Sequence, residues 1–447
     1  MKVQNKERII EFLKIAIPAI LESIVTVVIT TIDTKMISVL GKQAISAVSL
    51  TAQPKLIFFS IFFALGTAVS IFVAQANGRH DAKEGNYYFH AILKITMILS
   101  LVLGVLLFFL ARPVMLLCNR QADTIELSVS FFRIIMGFLF FQAVSTVLNA
   151  ALRGLGKTKV TLVSNLVMGV TDILFNYLLI EGHLGFPRLE VQGDAIATVL
   201  GTAAACLVSC IALRKQSGFL RLKGCLREKV FTNRENARKI IEKSGNIIFE
   251  NLFTRIGFLL SSIIVSLLSS EETAVYSVAM ILLNYSFAFG DGTQSAVVAL
   301  SGRSFGAGDK EEFRQYARIA GIFGILCGVI LGAVYLATAE PYYHSFFSDQ
   351  ESISKGIQFS FVAALLTVVQ ILRITQIGIL RSMGEVRIPR QLATICVFLV
   401  NPLVSYVLTI PLQLGVWGVW AGSVASQGVW LVLSTILCGR YRKKLCM

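Results

Sequence analysis

The residues best placed to do chemistry are two carboxylates inside long apolar runs. Asp33 lies in VVITTIDTKMISVL, residues 27–40, and Asp172 opens DILFNYLL, residues 172–179. An ionisable side chain at the centre of a membrane costs several kcal/mol and by default marks a functional site. Burial in a medium of low dielectric favours the neutral, protonated form of a carboxyl group. Asp33 is therefore predicted to take up and release a proton or a sodium ion.

Two structural interpretations of Asp33 remain open. The carboxylate could reach the membrane interface from a helix end, or it could pair with Lys35. Because Lys35 follows by only two residues, its side chain projects to nearly the opposite side of a helix. This spacing favours the coupling role.

A second polar group surrounds Asp172. Asp172 and Asn176 are four residues apart, so they project from one face of a helix, one turn apart. Together with the Thr198 hydroxyl, and with Asn149 as a further candidate, they form an oxygen-rich set suited to a cation. Sodium at Asp33, Asp172 and Asn176 is one interpretation. A buried Asp–Asn hydrogen bond that only fixes helix packing is the alternative.

The elements that must position these side chains are membrane helices. The 447 residues are 55% hydrophobic and only 15% charged, whereas a soluble domain averages about 25% charged residues. A spanning helix needs about 20 apolar residues. We identify about twelve such segments, which predict an all-α membrane protein: 12–40, 47–76, 90–111, 127–150, 160–181, 193–213, 241–268, 274–301, 316–339, 356–379, 391–410 and 415–438.

The Lys and Arg residues are expected to lie mainly on one side of the membrane. The chain carries a formal net charge of +15, and its Lys and Arg residues concentrate at both termini and in the even-numbered connections. The positive-inside rule therefore places both termini in the cytoplasm. Because topology accounts for the charge, no nucleic-acid partner is expected.

The two halves of the chain repeat each other. Three pairs of like residues share a spacing of 228: Glu22 and Glu250, Asp81 and Asp309, Arg153 and Arg381. Matches in order at one offset indicate duplication. We predict a six-helix lobe over 1–213, a basic cytoplasmic linker over 214–240 and a second six-helix lobe over 241–447. An even number of helices gives both lobes the same orientation, with pseudo-two-fold symmetry along the membrane normal.

Four motifs in order resemble the MATE (multidrug and toxic compound extrusion) family: PAILES…TTIDT, ALRGLGKTK, DILFNYLLIEG and QGDAIAT. The resemblance covers essentially the whole chain and implies a twelve-helix antiporter, which uses inward cation movement to expel organic, often cationic, compounds. It also implies a coupling acid at Asp33. The family has Asn at the position of Asp172 and Asp or Asn at that of Asn176, so here the acid is displaced by one turn.

The resemblance also points to candidate substrate or ion residues in the second half. Glu250 matches an acid that one sodium-coupled branch carries in helix seven, and that branch's second acid corresponds to Gln370. Arg373 lies three residues further along the same helix face. Since a fixed cation opposes a metal-ion site, Glu250 is expected either to contact substrate or to form an ion pair with Arg255, Arg373 or Lys55.

The sequence thus predicts a secondary active antiporter of the plasma membrane, not an enzyme, that exports amphipathic, cationic organic compounds by alternating access. Protons or sodium ions drive it without any cofactor, and Gln370 in place of an acid favours protons. We expect small organic molecules and bilayer lipids as partners, and a monomer. The alternative is a flippase for a lipid-linked oligosaccharide or a related polyprenyl-phosphate lipid, whose cationic cavity would use Lys55, Arg255 and Arg373.

Overall fold

The computed structural model describes residues 2–118, 122–216, 218–222 and 234–446. Within these ranges the chain is helical and contains no β-strand. Part of the predicted linker over 214–240, namely residue 217 and residues 223–233 with Cys225, lies outside the described residues.

The first half contains the helices of the polar group around Asp33 and Asp172. In chain order the described helices are α1 Lys2–Ser38, α2 Lys42–Gly78, α3 Ala82–Phe109, α4 Ala111–Cys118, α5 Ala122–Gly137, α6 Leu139–Gly154, α7 Thr158–Leu179 and α8 Glu190–Gln216. Helices α5 and α6 meet at a bend of 50° and together make the single span predicted over 127–150.

The second half has the same number of spans. Its described helices are α9 Arg234–Ser266, α10 Ser270–Ala307, α11 Lys310–His344, α12 Gln350–Ser382, α13 Arg387–Leu392, α14 Asn401–Thr409 and α15 Val416–Cys446. A π-helical segment, Ala393–Val400, joins α13 to α14. Pro402 follows this segment closely, and because proline lacks a backbone N–H it removes one α-helical hydrogen bond there.

Eleven described helices are long and apolar enough to cross a membrane, and the bent pair α5–α6 makes a twelfth span. In the most apolar 18-residue stretch of α2, 61% is buried inside the protein, whereas in that of α11 only 28% is buried. Aliphatic side chains cover the outer face of α11, including Ile322, Leu326 and Ile330. Such an apolar face is unstable in water and stable against lipid, so it is suited to contact with the bilayer. The prediction of an all-helical membrane protein with about twelve spans is confirmed.

Contacts along the chain separate it into two compact units. One unit comprises Met1–Ala16, Phe249–Phe305 and Asp309–Met447, and the other comprises Ile17–Ile248 with Gly306–Gly308. Helix α1 therefore contributes its opening turns to the first of these units and the remainder, with Asp33, to the second.

The internal repeat is visible in the ends of equivalent helices. The Asp81 carboxylate accepts a hydrogen bond from the backbone N–H of Glu84 at 2.9 Å and caps α3. Asp309 accepts the same bond from Glu312 at 2.8 Å and caps α11. Such caps satisfy backbone donors that the first helical turn leaves free.

The turn after the fourth span of each half also repeats. Gly156 and Gly384 have φ values of +75° and +79°, in the left-handed region that favours glycine at a helix C-terminus. Their backbone N–H groups donate to the carbonyl oxygens of Arg153 and Arg381, each at 2.8 Å. Two distant stretches of sequence thus specify one backbone geometry.

In the described part of each half a buried glutamate forms an ion pair with an arginine at the equivalent place. Arg153 Nη1 lies 2.9 Å from Glu22 Oε1, and Arg381 Nη2 lies 3.0 Å from Glu250 Oε1. Both glutamates are 5% exposed. The ion-pair partner of Glu250 is therefore Arg381 on α12, not Arg255, Arg373 or Lys55, because the last turn of α12 passes beside α9.

We expect Arg381→Met to lower the free energy of unfolding by about 3–5 kcal/mol, because it leaves Glu250 charged, buried and unpaired. Thermal unfolding in detergent measures the loss. Adding Glu250→Gln to the same chain should restore part of the stability, since no lone charge remains. Arg318→Met, on the exposed face of α11, serves as the matched control. Equal unfolding temperatures for Arg381→Met and the wild type would contradict this account.

Candidate functional site

Close helix packing brings the polar residues of the first half together. A Cβ atom at Gly169 of α7 would lie 2.0 Å from Ile29 Cδ1 of α1, and one at Gly201 of α8 would lie 2.8 Å from the carbonyl oxygen of Met168. Only glycine permits such approaches between helices. These contacts let α7 lie between α1 and α8, which carry further acids.

Asp33 is held by α7. Asn176 Nδ2 donates a hydrogen bond to Asp33 Oδ1 at 2.6 Å. Asn176 itself is fully buried, and its own carbonyl oxygen finds no hydrogen-bond donor among the described residues. The Thr198 side chain of α8 lies beside the Asp172 carboxylate. The structure therefore places Asp33, Asp172, Asn176 and Thr198 near one another, whereas the four-residue spacing predicted only that Asp172 and Asn176 share a helix face.

A third carboxylate, Asp194 of α8, completes the cluster. It is 0% exposed, and its carboxyl group lies beside that of Asp33. Two ionised carboxylates both accept and cannot bond to each other. Accordingly neither Asp194 oxygen has a donor among the side chains that the structure describes. The contact becomes a hydrogen bond when one of the two groups carries a proton.

Lys55 of α2 supplies the positive charge of the cluster. Its ammonium group interacts electrostatically with Asp33, Asp172 and Asp194. It also lies 5.6 Å from the centre of the Phe131 ring of α5, within the range of a cation–π interaction. Three carboxyl groups facing one amine leave an excess of negative charge, so the cluster is suited to binding cations.

Asn149 belongs to a different network. It donates to Ser164 Oγ at 3.5 Å and accepts from Ser209 Oγ at 2.6 Å. These bonds link α6, α7 and α8. The structure therefore assigns Asn149 to helix packing rather than to the carboxylate cluster.

The second-half candidates do not assemble an acidic site. Gln370 donates to the carbonyl oxygen of Leu283 at 3.4 Å, and Glu250 is bound to Arg381. The Arg373 guanidinium lies 5.1 Å from the centre of the Trp430 ring. Within the described ranges no three acid, His or Cys side chains lie close enough to hold a metal ion, and this includes the three carboxylates around Lys55.

A cavity of about 720 Å³ lies away from this cluster, beside the described part of the linker. Its lining includes Tyr87, Phe219 and Asn236. Asn86 holds this segment, donating to the Phe219 carbonyl at 2.8 Å and accepting from the Arg221 N–H at 2.7 Å. The cavity contains none of the carboxylates of the cluster.

Sequence reasoning missed Asp194 and Lys55 as site residues. Asp194 entered only as part of the QGDAIAT motif of the family resemblance, and Lys55 only as a partner for Glu250 or as part of a cationic cavity. The missed signal was the one that identified Asp33, since both residues are ionisable and lie inside apolar runs.

Comparison with known proteins identifies relatives over nearly the whole chain. The MatE family model matches residues 18–178 and 247–407, two stretches of equal length. The chain is 23% identical to "Probable multidrug resistance protein NorM" of Thermotoga maritima, over 93% of the chain and 89% of the relative. It is 26% identical to the protein of the same name in Listeria monocytogenes, over 97% and 94% respectively.

Solved structures show the same fold. An outward-facing multidrug resistance MATE family transporter superimposes with a TM-score of 0.88 at 18% identity, over 98% of this chain and 96% of the other. A transporter of the MOP superfamily from Pyrococcus furiosus, described as having a binding pocket of reverse polarity, gives 0.89 at 19% identity, over 98% and 97%.

We expect Asp33 and Asp194 to share one proton, because their carboxyl groups lie side by side and Asp194 is fully buried. Infrared difference spectra between neutral and acidic pH detect the protonated carboxyl group. Either Asp33→Asn or Asp194→Asn should remove the same absorption, whereas Glu190→Gln, on the exposed first turn of α8, should leave it intact. Two independent absorptions, each lost in only one variant, would contradict the shared proton.

Proposed function

The chain belongs to the MatE family of multi-pass membrane transporters, and from this premise we propose that it is a secondary active antiporter. It exports amphipathic, cationic organic compounds in exchange for protons. The observation that carries the proposal is the Asn176–Asp33 hydrogen bond beside Asp194 and Lys55, a titratable cluster placed within spanning helices. The names of the NorM relatives support multidrug compounds as the substrate class.

Exchange follows from competition for the same negative charge. Protonation of the cluster allows a hydrogen bond between Asp33 and Asp194, and loss of the proton restores their repulsion. These two states favour different separations of α1 and α8. A bound organic cation stabilises the deprotonated state, so by linkage the substrate releases protons and protons release the substrate.

Protons fit the cluster better than sodium ions do. Lys55 already places an ammonium group among the three carboxylates, and in the described part of the chain no three acids lie close enough to hold a metal ion. A proton needs only one carboxyl oxygen. In the second half, Gln370 stands where an acid would be needed, and the acid Glu250 is already neutralised by Arg381. No cofactor takes part in this mechanism.

We place the transporter in the plasma membrane with both termini in the cytoplasm. The bias of Lys and Arg toward the termini and the even-numbered connections supports this orientation. Substrate would then be taken up from the cytoplasm and released outside, and the proton gradient across the plasma membrane drives export.

Asp33→Asn should reduce exchange to the background level while leaving the unfolding temperature nearly unchanged, because the amide cannot be ionised but occupies the same volume. Uptake of ethidium into inside-out vesicles, driven by an imposed pH gradient, measures the exchange. Lys35→Gln is the matched control, since Lys35 is exposed on the same helix two residues away. Full exchange by Asp33→Asn would remove Asp33 from the mechanism.

The coupling ion is tested by imposing the pH gradient and the sodium gradient separately on wild-type vesicles. We expect the pH gradient alone to drive ethidium exchange. Exchange driven only by sodium would overturn proton coupling. Translocation of a polyprenyl-phosphate-linked sugar, without exchange of the organic cation, would overturn the antiporter in favour of a flippase.

A further inference from the structure

Asp194 is a buried acid whose charge nothing on its own helix offsets. It lies four residues inside α8 and is fully buried, and both carboxyl oxygens lack a hydrogen-bond donor among the described side chains. A buried carboxylate left in this condition loses the solvation that water would provide. Such an arrangement is stable only if protons or other cations occupy it during part of the working cycle.

Three other helices each place one charged side chain near Asp194 in the part of the chain that the structure describes. Helix α1 contributes Asp33, α7 contributes Asp172 and α2 contributes Lys55. Their positions are fixed by helix packing: Gly193, next to Asp194, leaves no room for a side chain because a Cβ atom there would lie 2.6 Å from the Leu179 carbonyl oxygen. The chain therefore holds three carboxyl groups against one ammonium group.

This balance determines how many cations the cluster needs. Lys55 offsets one ionised carboxylate, which leaves two carboxyl groups to be neutralised. One proton fits between Asp33 and Asp194, where two ionised groups would repel. A second proton is needed to neutralise the other carboxyl group that Lys55 does not offset. A cluster of Asp33 and Asp172 with the same lysine, but without Asp194, would be neutral after taking up a single proton.

We propose that Asp194 is a second coupling carboxyl group, and that the cluster exchanges two protons per transport cycle, with Lys55 as its fixed counter-charge. The inference rests on the proposed antiport function and specifies its stoichiometry. Both protons leave as the organic cation binds, and both return from the opposite side of the membrane when it is released. No covalent bond is made or broken.

The equilibrium gradient of substrate reports this stoichiometry directly. In vesicles whose membrane potential is clamped at zero, the logarithm of the ethidium concentration ratio rises with the imposed pH difference, and the slope equals the number of protons exchanged. We expect a slope of two for the wild type and for the Glu190→Gln control, and a slope of one for Asp194→Asn. Rates do not enter this measurement, so a slow variant still gives a valid slope.

Three outcomes are distinguishable. Absence of exchange in the wild type overturns the proposed function itself. Proton-driven exchange with a slope of one in the wild type leaves the antiporter intact but overturns the second coupling group. A slope of two in Asp194→Asn likewise removes Asp194 from the coupling.

A binding measurement covers the case in which Asp194→Asn does not transport. Ethidium added to the purified wild type in weakly buffered detergent should release two protons per molecule bound, and Asp194→Glu, which keeps a carboxyl group, should do the same. Lys55→Met removes the fixed counter-charge and should raise the count by one. A wild-type count of one, or a count in Lys55→Met no higher than in the wild type, overturns the proposed charge balance.

Discussion

A carboxylate within a membrane protein stays ionised only where a neighbouring group offsets its charge. This constraint divides five described acids within the spans into two kinds. Glu22 and Glu250 are each bound to an arginine at 2.9–3.0 Å and act as fixed structural pairs. Asp33, Asp172 and Asp194 share one lysine, so their charge is not fully offset. The second kind occurs where α1, α2, α7 and α8 meet, and the proposed exchange assigns the change of protonation to it.

The two halves share a framework but not the cluster. The helix caps, the left-handed glycine turns and the Glu–Arg pairs all recur at a spacing of 228 residues. The ionisable cluster does not recur, because the positions 228 residues further along hold uncharged residues: Ser261, Leu283, Val400, Val404 and Gly422. In that half the Ser405 hydroxyl donates to Asn401 Oδ1 at 3.4 Å. Both halves therefore have the same helical framework, whereas the described cluster of titratable groups lies in the first half.

The sequence predicted the parts of the molecule that depend on local spacing. Continuous apolar runs predicted the spans, and the four-residue spacing placed Asp172 and Asn176 on one face. Contacts between helices were harder to predict, because hydropathy does not define which faces meet. The partner of Glu250 was accessible in principle: Glu22 and Arg153 are separated by 131 residues, as are Glu250 and Arg381. Asp194 could have been predicted as a site residue, because an ionisable side chain within a membrane span by default marks a functional site. The bend between α5 and α6 had no such signal in the sequence.

The duplicated Glu–Arg pairs also bear on how the gene can vary over time. In either half, replacing one partner alone leaves a lone charge out of water, a change that selection would remove. Replacing both partners together by uncharged residues of similar volume leaves no unpaired charge. Positions 22 and 153, and independently positions 250 and 381, are thus expected to be inherited as linked units and to change in concert among descendants of this gene.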